Sequence, residues 1–265
     1  MALMGIVFLL PALLLAGCVS ITADGKNSDG MSEENQKNTF TVSDSPTIDV
    51  TGFNGSIEIA AGPDGEVDVE ATLRLPSRIS YSAKVDGNKV TVDAEKIGSV
   101  FTIGRSPEAS IRIVAPEHST IIAHTSNGPI IVDDFTGGGV LKTSNGRISL
   151  TDVEGEFTAD TSNGSVVMED VSGQFDIETS NGKIIFSGEF VDGSDNVFRT
   201  SNGSIVVEFS GEPSVELDAR TNNGSVENER PILTTTTEKS RLVGKYGEGL
   251  ASLELRTSNG SIDIR

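Results

Sequence analysis

From Thr39 onward, apolar and polar residues alternate with a period of two. Phe40-Thr41-Val42, Ile48-Asp49-Val50, Ser56-Ile57-Glu58-Ile59, Val67 to Leu73, Lys89 to Val92 and Ser110 to Ile113 all follow this rule. Successive side chains of a strand point to opposite faces, so the pattern predicts half-buried strands. Asn54-Gly55, Pro63-Asp64-Gly65 and Asp86-Gly87-Asn88 punctuate it with residues that tolerate turn geometry. No amphipathic helix of useful length is predicted anywhere.

Beyond residue 124 the alternation is tied to a recurring phrase, Thr-Ser-Asn-Gly. Its asparagines are Asn127, Asn145, Asn163, Asn181, Asn202 and Asn259, with the variant Thr221-Asn222-Asn223-Gly224 contributing Asn223. The step is 18 residues up to Asn181, then 21 to Asn202 and to Asn223, then 36. The last gap reads as two steps of 18 with one phrase missing. Three places after each Asn sit Ile130, Ile148, Val166, Ile184, Ile205, Val226 and Ile262. Five places after sit Val132, Leu150, Met168, Phe186, Val207 and Ile264, with Asn228 as the exception. Glycine turns at Gly137, Gly155 and Gly173 then lead to a second strand.

A unit of two short strands and two turns cannot bury its apolar face alone. Stacking units ~4.8 Å apart pairs their backbones and places like residues on like. The expected fold is therefore all-β, a β-solenoid of 18–21-residue repeats, with the seven asparagines forming a ladder of side-chain amides. The alternative is an antiparallel β-sandwich, because Asn-Gly also favours two-residue hairpins. The longer steps point to turns enlarged at Val191 to Asn196 and at Ser210 to Pro213.

Composition adds an address. Met4 to Gly17 is an apolar run broken only by Pro11, shorter than the ~20 residues of a spanning helix. It ends in Leu15-Ala16-Gly17-Cys18, and Cys18 is the sole cysteine, so no disulfide framework or cysteine-based metal site is possible. The run resembles a bacterial lipoprotein signal with its lipobox, although Met1-Ala2-Leu3 lacks the usual basic residue. That resemblance implies cleavage before Cys18, a lipid-modified thiol and an extracytoplasmic protein held at the cell membrane or outer surface. Residues 19–38 are polar and predict a flexible tether. Residues 39–124 form an N-terminal β region, continuous with the repeat region 125–265. With 39 acidic against 20 basic residues and a net charge of −19, the chain is unsuited to nucleic acid or an anionic membrane surface.

The Thr-Ser-Asn-Gly-x-Ile units resemble the bacterial "putative adhesin" domain family, a domain of unknown function built from glycine-rich β repeats. So does the closing stretch from Gly244-Lys245-Tyr246-Gly247 to Ser258-Asn259-Gly260-Ser261-Ile262. The resemblance covers roughly residues 39 to 265 and brings no catalytic or binding residues with it.

Asp134, Asp152 and Asp170 recur at one place in three successive units. Stacked carboxylates ~4.8 Å apart would repel by ~0.9 kcal/mol even in water. Either each accepts a backbone N–H in its own turn, or together they hold a divalent cation such as Ca²⁺. Asp192 to Asn196 is a weaker Ca²⁺ candidate, better read as an acidic turn. His118 and His124 match no metal spacing, and no nucleophile elbow, phosphate loop or zinc pattern occurs. The expected function is non-enzymatic: a lipid-anchored cell-surface protein that binds a surface polysaccharide or protein through exposed turns. A structural or regulatory envelope component is the alternative, and a polysaccharide-active enzyme is a more distant one.

Overall fold

The structure is a computed structural model and describes residues 18–26, 32–98 and 106–265. It is a β-solenoid with two walls. The inbound wall holds the strands that run into the phrase, and the outbound wall holds those that leave it. In the centre, Thr120–Thr125, Gly138–Thr143, Glu154–Thr161 and the second half of Val166–Thr179 stack in parallel on the inbound side. On the outbound side Ile130–Asp133, Ile148–Thr151, the first half of Val166–Thr179 and Ile184–Phe190 do the same. The only helical turn among the described residues is Pro76–Arg78.

The columns read from the sequence are the core. Ile57, Ile130, Ile148, Val166, Ile184, Ile205 and Ile262 pair in one unbroken outbound row, with Val226 at its end. Phe175, Ile177, Ile184 and Phe186, four residues of one coil, have no exposed surface. Burying four such side chains is worth roughly 6–12 kcal/mol, against about 1 kcal/mol for one hydrogen bond of the amide ladder. Core stacking therefore holds the coils together, and the ladder tunes their register. Aromatic rings fill the C-terminal half in series. Phe157 stacks on Phe175 at 6.5 Å, Phe186 on Phe190 at 4.5 Å, and Phe209 meets Tyr246 edge-on at 5.6 Å.

Both ends depart from simple winding. The first coil in sequence, Thr47–Thr51 with Ile57–Gly62, lies between the coil made by Lys89–Lys96 and Glu108–Pro116 and the coil that starts at Thr120. The last coil, Ala251–Asn259 with Ile262–Ile264, lies between the coil Asp195–Asn202/Ile205–Phe209 and the coil Val215–Asn223/Val226–Asn228. Each terminal coil is thus one place in from its end. The gap of 36 residues is consequently not a missing phrase. It is an excursion through the antiparallel strands Leu233–Glu238 and Arg241–Tyr246, after which the chain returns inside. The final strand is no open edge.

Antiparallel strands close the stack: Ile79–Asp86 on the inbound wall, and Glu66–Arg74 followed by Ser32–Thr41 on the outbound wall. Here the tether expectation is corrected for residues 19–26 and 32–38. Cys18–Lys26 pairs antiparallel with Ser32–Thr41, which pairs with Glu66–Arg74. Strand pairing is satisfied by backbone groups, so a polar segment can join a sheet without supplying a core face. Side-chain contacts assist it, with Lys37 on Glu70 at 2.7 Å and Thr72 Oγ1 donating to Asn35 at 3.0 Å. The chain's two tyrosines sit at opposite ends. Tyr81 donates to Asn38 at 3.3 Å and Tyr246 to Asn228 at 2.6 Å. Asn228, the exception in its column, thus faces a hydroxyl where the core ends.

Candidate binding surface

The phrase builds a corner between the walls, and each of its residues has a distinct task. The threonine points inward and, at every phrase but that of Thr125, donates its hydroxyl to the carbonyl of the phrase glycine one coil back. Thr161 meets Gly146 at 3.0 Å, Thr179 meets Gly164 at 2.9 Å and Thr257 meets Gly203 at 2.8 Å. The asparagine amides form a chain pointing one way. Asn223 donates to Asn259, Asn259 to Asn202, Asn202 to Asn181, Asn181 to Asn163, Asn163 to Asn145 and Asn145 to Asn127, all at 2.8–2.9 Å. Asn127 donates to Asn54, and Asn54 to the carbonyl of Pro107, where the ladder stops. The glycine is required by close approach. A Cβ on Gly146, Gly164, Gly182 or Gly203 would lie 1.8–1.9 Å from the carbonyl oxygen of the preceding phrase glycine. Asn-Gly here serves stacking, not a hairpin, which settles the fold in favour of the solenoid.

Asn54 is the ladder residue that sequence reasoning missed. Gly52 and Phe53 stand where Thr and Ser would be, which hid the phrase. Its signal was Ile57 and Ile59, three and five places on, in the register of every other unit.

Asp134, Asp152 and Asp170 occupy equivalent exposed corners with φ of 66°, 50° and 55°. Aspartate tolerates this left-handed conformation better than most non-glycine residues, and each is followed by a buried Phe135, Val153 or Val171. Their side chains form no hydrogen bond to a turn N–H among the described residues. The backbone N–H of Asp134 instead donates to Thr151 and that of Asp152 to Glu169, both at 3.1 Å in the next coil. Among the described residues no group of three His, Cys, Asp or Glu side chains is placed to hold a metal ion. The repeated aspartate is explained by backbone conformation.

His118 bonds Thr136 at an exposed corner. In the turn from Val191 to Asn196, Asn196 is fully buried, accepting from the Phe175 N–H at 2.9 Å and donating to Ser194 Oγ at 2.8 Å and the Ser252 carbonyl at 3.1 Å. Asp195 accepts from Ser252 at 2.7 Å. This is a clip between coils.

The regular surface is interrupted where two successive coils are lengthened. Gly188, Glu189, Phe190 and Asp192 of one turn and Phe209, Gly211, Glu212, Pro213 and Ser214 of the next line a hollow of about 210 Å³. Phe190 and Phe209, 6.0 Å apart, form its apolar floor. Arg230 braces it from the end, donating to the carbonyls of Gly211 and Phe209 at 2.7 and 2.8 Å. Glu189, Asp192 and Glu212 supply an acidic rim.

The model of the family described as Toastrack DUF4097 matches residues 19–265. The chain belongs to that family. Toastrack DUF4097 is a domain of unknown function, and its solenoid of β repeats is the architecture described above. Three solved structures are similar at a distance. A "putative cell adhesion protein" from Clostridium sporogenes is 12% identical, with 94% of this chain and 99% of that one covered and a TM-score of 0.39. A "putative adhesin" from Bacteroides fragilis is 12% identical, over 87% and 97%, with a TM-score of 0.37. A "putative lipid binding protein" from Parabacteroides distasonis is 13% identical, over 87% and 97%, with a TM-score of 0.33. No curated protein matches the chain. Among the described residues no helix is long and apolar enough to cross a membrane. Residues 1–17 lie outside the described residues, and Cys18 opens the first strand.

Proposed function

We propose that this Toastrack chain is a non-enzymatic surface-binding module, held at the extracytoplasmic face of a membrane by lipid on Cys18. The observation that carries the binding reading is the hollow between the lengthened turns. The two three-residue additions lie on the same side, and between them they open a hollow that the regular 18-residue coils do not form. An apolar floor with a polar rim is the usual make-up of a ligand site. The ligand class in this reading is a surface polymer or protein. The anchoring reading is carried by the apolar run ending in Leu15-Ala16-Gly17-Cys18.

Both halves are testable separately. Cys18→Ala should abolish acyl labelling and release the protein from the pelleted membrane fraction; a variant that still labels and pellets removes the anchor from the proposal. The full chain should be retained, saturably, by envelope fractions or by a panel of glycans and matrix proteins. Glu212→Lys at the rim should weaken that retention without lowering the melting temperature. Retention on the native envelope alone would move the reading to an envelope component, and retention on nothing would remove the binding function.

A further inference from the structure

One outward column of the inbound wall changes sign along the solenoid axis, from Asp160 and Glu178 to arginine. In the central coils of that wall the outward positions carry Glu156, Asp160, Asp176 and Glu178. Beyond them four arginines fall into one lateral row. Arg199 pairs in register with Arg256, Arg256 with Arg220, and Arg220 with Arg241, across four adjacent strands. Neighbouring strands are ~4.8 Å apart, so the row is about 14 Å long. In a chain of net charge −19, such a row has to be held in place against scattered acidic groups.

Two acidic residues one pleat away do this. Arg256 is a rivet: Nη1 and Nη2 grip the Asp218 carboxylate at 3.1 and 2.9 Å, and Nη1 also reaches the Asp218 carbonyl at 2.8 Å. Arg199 donates through Nη2 alone to Glu254 at 2.7 Å. Arg241 approaches Asp218 at 3.7 Å, and its buried Nε has no hydrogen-bond partner. Arg220, exposed between Arg256 and Arg241, makes no ion pair and no side-chain hydrogen bond among the described residues. Arg199 and Arg220 therefore stand two strands apart, about 10 Å, with guanidinium N–H groups free toward solvent.

On the corner side of the row lie Ser201, Ser258 and Asn222. Together with Arg199, Arg220, Arg256 and Glu178 they line an open hollow of about 360 Å³. Asn222 stands where the other phrases have serine, so the departure from Thr-Ser-Asn-Gly adds an amide donor and acceptor beside Arg220.

We propose that this hollow is a binding site for an acidic polysaccharide running along the solenoid axis. Planar guanidinium forks match carboxylates two bonds at a time, and the Ser-Asn-Ser row offers both donors and acceptors for sugar hydroxyls. The separation of Arg199 and Arg220 is about the length of a disaccharide, so alternate carboxylates of an extended chain can meet them. The site has no apolar anchor for a peptide and no aromatic ring on which bases could stack. It is separate from the hollow of the lengthened turns and shares with the preceding section only the premise that the molecule works by binding a polymer.

The test uses the full chain in detergent, immobilised polygalacturonate as probe, its fully methyl-esterified form as uncharged control and a polyol-phosphate polymer as a second anion. Saturable retention on polygalacturonate that falls with added salt, with none on the ester, is expected. The double variant Arg199→Gln/Arg220→Gln should weaken it at least about tenfold with an unchanged melting temperature, because both side chains are exposed. Arg220→Lys, which keeps the charge and loses the fork, should fall in between. Equal retention of the double variant, equal retention on the ester, or retention on the polyol-phosphate alone overturns the proposal. If envelope fractions retain the chain and polygalacturonate does not, the arginine site falls while the surface-binding reading stands. If Glu212→Lys alone changes envelope retention, the lengthened-turn hollow is the working site and the arginine row is not.

Discussion

At the residue scale, two neighbours in one phrase should behave very differently. Asn163→Ala removes the hydrogen bonds to Asn145 and from Asn181 on an exposed corner. Its expected cost is about 1–2 kcal/mol in chemical denaturation. Gly164→Ala puts a methyl group 1.8 Å from the Gly146 carbonyl oxygen. The coils must then separate at that corner, so the expected loss exceeds that of Asn163→Ala, in the range of severe packing changes above about 4 kcal/mol. Equal losses would mean that the corner is soft and the close stacking is not needed. Asp152→Gly should be neutral or mildly stabilising at its left-handed corner, while Asp152→Val should cost ~1–2 kcal/mol. Neither Ca²⁺ nor a chelator should move the wild-type melting temperature. A rise with Ca²⁺ would mark the carboxylate column as a cation site.

The tyrosines give a pH signature. Burial pushes both phenols up to about 12, with Arg230 opposing the shift at Tyr246. In the unfolded chain they ionise near the ordinary value of 10. Below that pH both states are neutral, and the two groups make stability no steeper. As pH rises from about 10 to about 12 the unfolded state loses protons that the folded state retains, so stability falls with pH. Replacing both with phenylalanine should flatten that alkaline limb in denaturation curves recorded at successive pH values, while the limb of the wild type remains steep.

At the element scale, much of the coil is legible in the sequence. Stacking puts one residue type in each column, and repetition carries that constraint into the sequence as Ile130, Ile148, Val166 and Ile184. Other elements left weaker traces. Residues 19–38 read as a tether because apolar alternation reports core faces only, whereas the strand Ser32–Thr41 is held largely through its backbone by Glu66–Arg74. The aspartate column was visible as a pattern, but its cause is a φ angle, which a one-letter pattern does not display. The arginine row was illegible. Arg199, Arg220, Arg241 and Arg256 are ordinary alternating residues in sequence, and only the return of the last coil brings Arg256 between Arg199 and Arg220.

For the whole molecule, the order of coils along the axis departs from the order along the chain at both ends. Strands distant in sequence, such as Thr47–Thr51 and Thr120–Thr125, pair across the excursion between them, and nothing in local alternation foretells it. Removing residues 250–265 should therefore do more than fray an end. It takes out a layer with neighbours on both sides, leaving Phe198 and Leu217 facing a gap, and the truncated chain should lose its cooperative melting transition. A chain that keeps a sharp transition would show that the outer coil can settle directly onto the coil at Asp195–Asn202.

The same insertion governs how the molecule answers to load. A rod wound in simple order unravels from its tip, each outer layer peeling away one bond at a time at low force. Here the strand Ala251–Asn259, six residues short of Arg265, is gripped along both edges, by Asp195–Asn202 and by Val215–Asn223. A tug on the C-terminus runs along that strand, so the bonds of both edges resist together in shear. The first rupture should come late and abruptly, as it does when a drawer is pulled from a closed frame, and the rest of the stack should remain wound until then.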